Sequence, residues 1–244
     1  MRSQAILSLA AAMALGCGAS ENPNPDFGPI VDLAAPRTGA LLVVHAVADA
    51  PDVDVYLSEG GKPALTVKYG QAQRSNVPSG IYTLELRKAG DDPGWPALLT
   101  RSLTVEPDSR TVLVAYGRTA SVQIAAAPAG LVDPKALKLR VLHASPAAPT
   151  TVALTIAGVA AGDAPALGRV GFGQPTDYAA LAADIADKTK LTLRAGAPAA
   201  DLASLSLPAL TRGAVYSAVL LGDSAPLAGD RFLSVALVNE GEIG

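Results

Sequence analysis

Beyond residue 40, apolar and polar positions alternate with a period of two along most of the chain. Val53, Val55 and Leu57 alternate with Asp52, Asp54 and Tyr56; Tyr82, Leu84 and Leu86 with Thr83, Glu85 and Arg87; Leu191 and Leu193 with Thr192 and Arg194. That period places successive side chains on opposite faces of a strand. Three other runs, Leu41–Val44, Val112–Ala115 and Val215–Leu221, are short and continuous, without that alternation. They predict strands covered on both faces. Turn-forming clusters separate the runs, at Glu59-Gly60-Gly61, Pro78-Ser79-Gly80, Asp91-Asp92-Pro93-Gly94 and Pro107-Asp108-Ser109. One stretch, Tyr178 to Lys188, suits a short helix as well as it suits a loop.

The pattern is written twice. Leu41 to Pro51 matches Leu139 to Pro149 when the two are anchored on His45 and His143. Tyr69-Gly70-Gln71 then matches Phe172-Gly173-Gln174, and Thr83–Arg87 matches Lys190–Arg194. Ser102-Leu103 with Thr111–Gly117 matches Ser206-Leu207 with Val215–Gly222. Four blocks in one order indicate a duplicated unit. The fold expected is all-β: two tandem immunoglobulin/transthyretin-like β-sandwich domains, about seven strands each, after a signal peptide and a Pro-rich tether. The boundaries expected are 1–16 for the signal peptide, 17–39 for the lipidated Cys and tether, 40–127 for the first domain, 128–135 for a linker and 136–244 for the second domain.

The N-terminal segment reads as an address. Arg2 is followed by an uncharged apolar run, Ala5 to Leu15, too short to span a bilayer as a helix and suited to a signal-peptide core. The run ends in Ala14-Leu15-Gly16-Cys17, which resembles the bacterial lipobox, with Ala14 standing where Leu is commoner. Cys17 is the one cysteine of the chain and falls where that motif requires it. The alternative is an ordinary cleaved signal with a chance Cys nearby. A diacylglyceryl group on Cys17 supplies the two acyl chains that stable anchoring needs. Pro23, Pro25, Pro29 and Pro36 mark the following stretch as an extended tether. The expected placement is the cell envelope, lipid-anchored at the outer membrane or cell surface, with the periplasmic side a further option. The membrane is met through the lipid alone.

Composition narrows the function. A formal net charge of −3 has the wrong sign for phosphate neutralisation, so no nucleic-acid partner is expected. A single Cys makes no internal disulfide and no Cys-based zinc site. Two His and 4% aromatic residues leave little for acid–base chemistry or for a broad stacking platform.

Val43-Val44-His45-Ala46, Asp49-Ala50-Pro51 and Val53-Asp54-Val55-Tyr56 together resemble the signature of the domain of unknown function 4397 family. Tyr69-Gly70 and the Pro78–Thr83 turn-and-strand follow in the family's order. The second copy keeps Leu142–Pro146 and Ala148-Pro149, then departs at Thr151 and Ala153. The resemblance implies tandem β modules, secreted or surface-anchored and mostly bacterial. It implies no activity and no catalytic residues.

Several residues remain as candidates. His45 and His143 share one repeat position and so do Pro51 and Pro149. Each His is expected to tie down the Pro-rich turn that follows, rather than to ligate metal. Ser145 has only Val47 opposite it in the first copy, which argues against a Ser-His-Asp triad. Asp49, Asp52 and Asp54 make a weak calcium candidate. The simpler alternative is a solvated strand face. Trp95, flanked by Pro93 and Pro96, is either a contact anchor or, more simply, a plug for the end of the sandwich. No catalytic residues and no cofactors are expected. The function expected is a non-enzymatic binding, adhesion or interaction module with a protein or polysaccharide partner. A structural spacer and an envelope hydrolase with an interdomain site are the alternatives.

Overall fold

A computed structural model describes residues 37–58, 61–92, 94–146, 151–156, 166–181, 184–195, 200–222 and 233–242. The signal peptide, Cys17, most of the tether and Pro149 lie outside the described residues.

Sixteen strands and one 3-10 turn, Thr119–Ser121, make up the described secondary structure. The first eight strands are β1 (Thr38–Val47), β2 (Val53–Leu57), β3 (Leu65–Val67), β4 (Ala72–Pro78), β5 (Gly80–Lys88), β6 (Leu99–Val105), β7 (Arg110–Gly117) and β8 (Gln123–Pro128). They form two sheets, in the orders β4-β1-β7-β8 and β3-β2-β5-β6. The next eight are β9 (Leu137–His143), β10 (Thr151–Ile156), β11 (Ala166–Gly171), β12 (Ala179–Leu181), β13 (Lys190–Ala195), β14 (Ala200–Ser206), β15 (Ala214–Leu221) and β16 (Ser234–Glu242). Their sheets have the orders β12-β9-β15-β16 and β11-β10-β13-β14, the same topology with every strand number raised by eight. Each half thus has eight strands among the described residues, where about seven were expected. β1 pairs parallel with β7 and β9 parallel with β15, while the other strand pairs are antiparallel.

The helix allowed for Tyr178–Lys188 is absent from the described part of that stretch. Ala179–Leu181 pairs with Leu137–Leu139 as β12, and Ile185 bridges to Leu210. Leu181 and Ile185 are buried, and both belong to one sandwich core. Strand pairing and burial in that core outweigh a marginal local helix preference.

Three apolar cores explain the layering. One lies between the two sheets of the first half and includes Leu41, Val43, Val55, Leu84, Leu86 and Leu113. A second lies between the sheets of the second half and includes Leu137, Leu139, Val152, Leu191, Ala218 and Leu220. The third joins the halves: Leu42, Val44, Val112, Val114 and Tyr116 meet Leu142, Ala144, Val219, Leu221 and Val238. The layers therefore run sheet β3-β2-β5-β6, sheet β4-β1-β7-β8, sheet β12-β9-β15-β16, sheet β11-β10-β13-β14. The three continuous runs fall in the two inner sheets, where alternate apolar residues enter different cores. Each such Leu or Val side chain contributes about 1.5–3 kcal/mol when fully removed from water.

The seam between the halves is reciprocal. Ala115 pairs with His45 and Leu220 with His143, so Tyr116 and Leu221 hold equivalent places. Phe172-Gly173 packs on Tyr116, while Gly70 packs on Leu221 at 3.4 Å from where its Cβ would stand. Contacts of this i-to-j and j-to-i form are those of a two-fold interface, here within one chain.

Candidate functional site

The two histidines sit at the ends of the central strands β1 and β9, each buried. His45 Nδ1 accepts from the Val47 amide at 3.3 Å, and Nε2 lies 2.7 Å from the Pro51 carbonyl oxygen. Only a neutral ring with its proton on Nε2 satisfies both contacts. His143 Nδ1 accepts from the Ser145 amide at the same 3.3 Å. The amides of Gly70 and Gly173 donate to the carbonyls of His45 and His143 at 2.8 and 2.7 Å. Both glycines have positive φ, 72° and 75°, a left-handed turn that a side chain would strain. Tyr69 and Phe172 stand edge-on to the two imidazoles, with centroids 5.5 and 5.6 Å away. The two imidazoles shape a turn and are closed to solvent.

The three aspartates do not converge. Asp49 accepts from the Thr119 amide and hydroxyl at 2.7 and 2.8 Å. Asp54 is buried rather than solvated, and it accepts from the Thr66 hydroxyl at 2.6 Å and the Gly90 amide at 3.2 Å. Among the described residues, no group of three His, Cys, Asp or Glu could hold a metal ion.

Trp95 is 61% exposed and does not plug the sandwich. Its loop is held from behind. Arg87 on the outer face of β5 donates to the Trp95 carbonyl oxygen and pairs with Glu85 at 2.8 Å. The Arg87 guanidinium also lies 5.8 Å from the centroid of the Tyr56 ring. Glu85 stands opposite Tyr56 on one side and Thr100 on the other, and Thr83 opposite Ser102. The outer face of the first half is thus a hydroxyl-bearing sheet with an anchored, exposed indole at one end.

A buried ionic cluster, absent from the expectations above, lies where the polar end of the seam meets the chain between the halves. Arg140 on β9 pairs with Glu240 on β16 at 3.0 Å and donates to Ser217 on β15 at 2.8 Å. Ser217 donates to the same Glu240 oxygen, Oε1. The other oxygen accepts from the Tyr178 hydroxyl at 2.5 Å and the Gly130 amide at 3.0 Å. Arg74 on β4 and Arg110 on β7 reach across the seam to the Glu240 carbonyl, at 3.0 and 2.6 Å. The register explains why Glu240 points inward. Tyr216 pairs with Asn239 and Val215 with Gly241, so Glu240 is the extra residue of a β-bulge. Burial raises the Tyr178 pKa above its usual value; the hydrogen bond to Glu240 and that carboxylate's charge add to the rise, and Arg140 opposes it. The sequence signal was Arg140, a cation in the segment that the repeat aligns with the apolar run Leu41–Val44. Ser217 has no imidazole beside it and is buried, so the cluster fastens the halves together.

Residues 39–153 match the model of the family described as Domain of unknown function (DUF4397). That span takes in the first eight strands and runs on through β9 into β10. No curated protein matches the chain. Two solved structures resemble it at 10% identity and a TM-score of 0.25 each. One is a family CBM26 module, CBMbc, of Eubacterium rectale Amy13K in complex with maltoheptaose; 79% of this chain and 100% of that one are covered. The other is a candidate adhesin from Bacteroides ovatus, with 82% and 92% covered. Scores of that size carry no argument about fold or function. What the sequence comparison shows is a similarity to the DUF4397 family over residues 39–153.

Proposed function

We propose that this protein is a non-enzymatic interaction module of the cell envelope, held there by lipid on Cys17 and built from two copies of the DUF4397 unit. The shared topology and the repeated His–aromatic–Gly–Gln turn support the second copy. The single observation that carries the binding role is Trp95, exposed at 61% while Arg87 holds its backbone. A rigid, exposed aromatic loses little conformational freedom on contact and is the usual kind of anchor in an interface. The buried Ser217 hydroxyl is held between Arg140 and the Glu240 carboxylate, which supports binding over hydrolysis.

The spacer alternative draws on a different observation. Among the described residues, the large exposed apolar ones, Ile81, Trp95 and Leu131, come from three separate segments rather than one strand face. Fluorescence separates the two readings, since Trp95 is the chain's one tryptophan. Titration with polysaccharide and protein fractions of the envelope is expected to shift its emission to the blue and to shield it from acrylamide. Emission unchanged by every fraction would leave the protein a spacer.

A further inference from the structure

Two neighbouring strands of the first outer sheet form a track that begins at Trp95. In β5 and β6, Leu84, Leu86, Leu99, Leu103 and Val105 enter the sandwich core, so the residues alternating with them face outward. The register sets these side by side: Glu85 with Thr100, Thr83 with Ser102 and Ile81 with Thr104. All but Glu85 are exposed. Arg87 precedes them on the same face and holds the Trp95 carbonyl. From Arg87 to Ile81 the track runs ~20 Å, at ~3.4 Å per residue of strand.

The indole is carried by an addition to one copy. Residues 89–98 join β5 to β6, whereas residues 196–199, with no aromatic among them, join the matching strands β13 and β14. The second half has the same topology without such a loop, so Trp95 is not required by the sandwich. Asp92 pins the loop a second time. Its carbonyl oxygen accepts from the Trp95 amide at 2.9 Å and its Oδ1 from the Gly94 amide at 2.8 Å.

What the track offers selects its ligand. Both contacts of Arg87 with Glu85 fall on Oε2, at 3.1 and 2.8 Å; Oε1, on a side chain 31% exposed, is the acceptor presented to a ligand. Arg87 itself is committed to Glu85 and the Trp95 carbonyl, and Asp91 and Asp92 precede the indole, so an anionic chain meets acids there rather than a free guanidinium. A protein interface has an apolar centre and a polar rim. Here the order is reversed, with Ile81 and Trp95 at the two ends and hydroxyls between them. Hydroxyls that both donate and accept, one carboxylate oxygen and one flat apolar ring are what the hydroxyls and C–H faces of sugar rings require.

We propose that the β5–β6 face of the first half, from Trp95 to Ile81, binds a neutral polysaccharide in extended form, with the indole against the C–H face of one ring and Glu85, Thr83, Thr100 and Ser102 bonding to ring hydroxyls. This rests on the binding-module reading and names the ligand class of the Trp95 site.

The test uses the full chain carrying Cys17→Ser, with cellohexaose and mannohexaose as neutral extended probes and polygalacturonate as the acidic one. A neutral hexasaccharide is expected to shift Trp95 emission to the blue and to bind more tightly than polygalacturonate. Raising the ionic strength from about 0.01 M to about 0.15 M should leave that binding unchanged, since screening acts on charges. By calorimetry, Trp95→Ala should weaken it by about tenfold or more. Thr83→Val with Thr100→Val, which suits a strand, should weaken it by about fivefold or more without lowering the melting temperature. Leu131→Ala, in another segment, should leave it unchanged. Binding of neither hexasaccharide, affinity unaltered in the Trp95 or the paired Thr variant, or a salt-sensitive preference for polygalacturonate would each overturn the proposal. Emission that responds to an envelope protein fraction but to no sugar would overturn it while leaving a binding module, and emission unchanged by every sugar and every fraction would remove both readings.

Discussion

Tyr116 meets Phe172 edge to face, with ring centroids 5.1 Å apart and planes at 83°. The pair spans the seam, with Tyr116 at the end of β7 and Phe172 just after β11. Phe172 also stands edge-on to His143, so a second-half turn is keyed at once to its own strand end and to the first half.

Gly173 makes that contact possible. A Cβ at this position would run into the Tyr116 hydroxyl, and the residue has φ of 75°. Gly173→Ala should therefore destabilise the fold by about 2–4 kcal/mol, through left-handed strain and overpacking together. Urea unfolding measures it. Gly61→Ala, with open space around the Cβ and no positive φ, is the control and should change stability by less than about 1 kcal/mol.

The Arg140–Glu240 pair is almost wholly buried, with side-chain exposures of 4% and 0%. Removing one partner strands the other charge, so Arg140→Ala or Glu240→Ala should each cost about 3–5 kcal/mol. Arg140→Ala combined with Glu240→Ala should cost clearly less than the two single losses added together. A double-mutant cycle by chemical denaturation gives the coupling, and strict additivity would mean the pair does not act as a unit.

Tyr178 gives the cluster an alkaline limit. Its pKa is raised in the folded chain above the usual 10.0, so the protonated phenol is the favoured form. The stability this contributes is fully present below pH 10 and declines as pH rises from there through the folded pKa. Titration of phenolate absorbance should show one of the chain's six tyrosines ionising only above the rest. Tyr178→Phe should flatten the alkaline decline in melting temperature while lowering the plateau at neutral pH.

His45→Ala removes the ring that joins the Val47 amide to the Pro51 carbonyl. Leaving those groups unmet in a buried site should cost about 2–4 kcal/mol. Calorimetry of His45→Ala and His143→Ala should show lower melting temperatures for both. A variant with wild-type stability would mean that the ring is dispensable to the turn.

For placement in the envelope, the decisive residue is Cys17. Cells fed a labelled fatty acid should incorporate it into the wild-type chain, and Cys17→Ser should abolish incorporation and release the protein from the membrane fraction. Release without loss of folding is expected because Cys17 lies outside the described strands, the first of which is Thr38–Val47.

Much of the architecture could be read from periodicity, and the reasons for the misses are local. The run Val215–Leu221 announced a doubly covered strand because burial on two faces removes any need for alternation, and Ala218 and Val219 do enter different cores. Glu240 was invisible because a bulge shifts the alternation of β16 by one, and no local pattern marks which residue is extra. Trp95 was misjudged as a plug because bulk alone suggests burial, whereas its backbone is held on an exposed loop by Arg87, eight residues away. Asp54 looked solvated next to Asp52, yet Thr66 and Gly90 come from elsewhere in the chain to bind it.

The doubly covered strands β1, β7, β9 and β15 have a consequence for any shortened form of the molecule. A fragment ending near Pro128 would carry Leu42, Val44, Val112, Val114 and Tyr116 on a bare sheet face, a greasy wall made to be met by a similar wall. Such a piece would self-associate face to face or precipitate. Gene truncations and recombinant halves of this protein should therefore be judged by their aggregation before anything is concluded from their lost function.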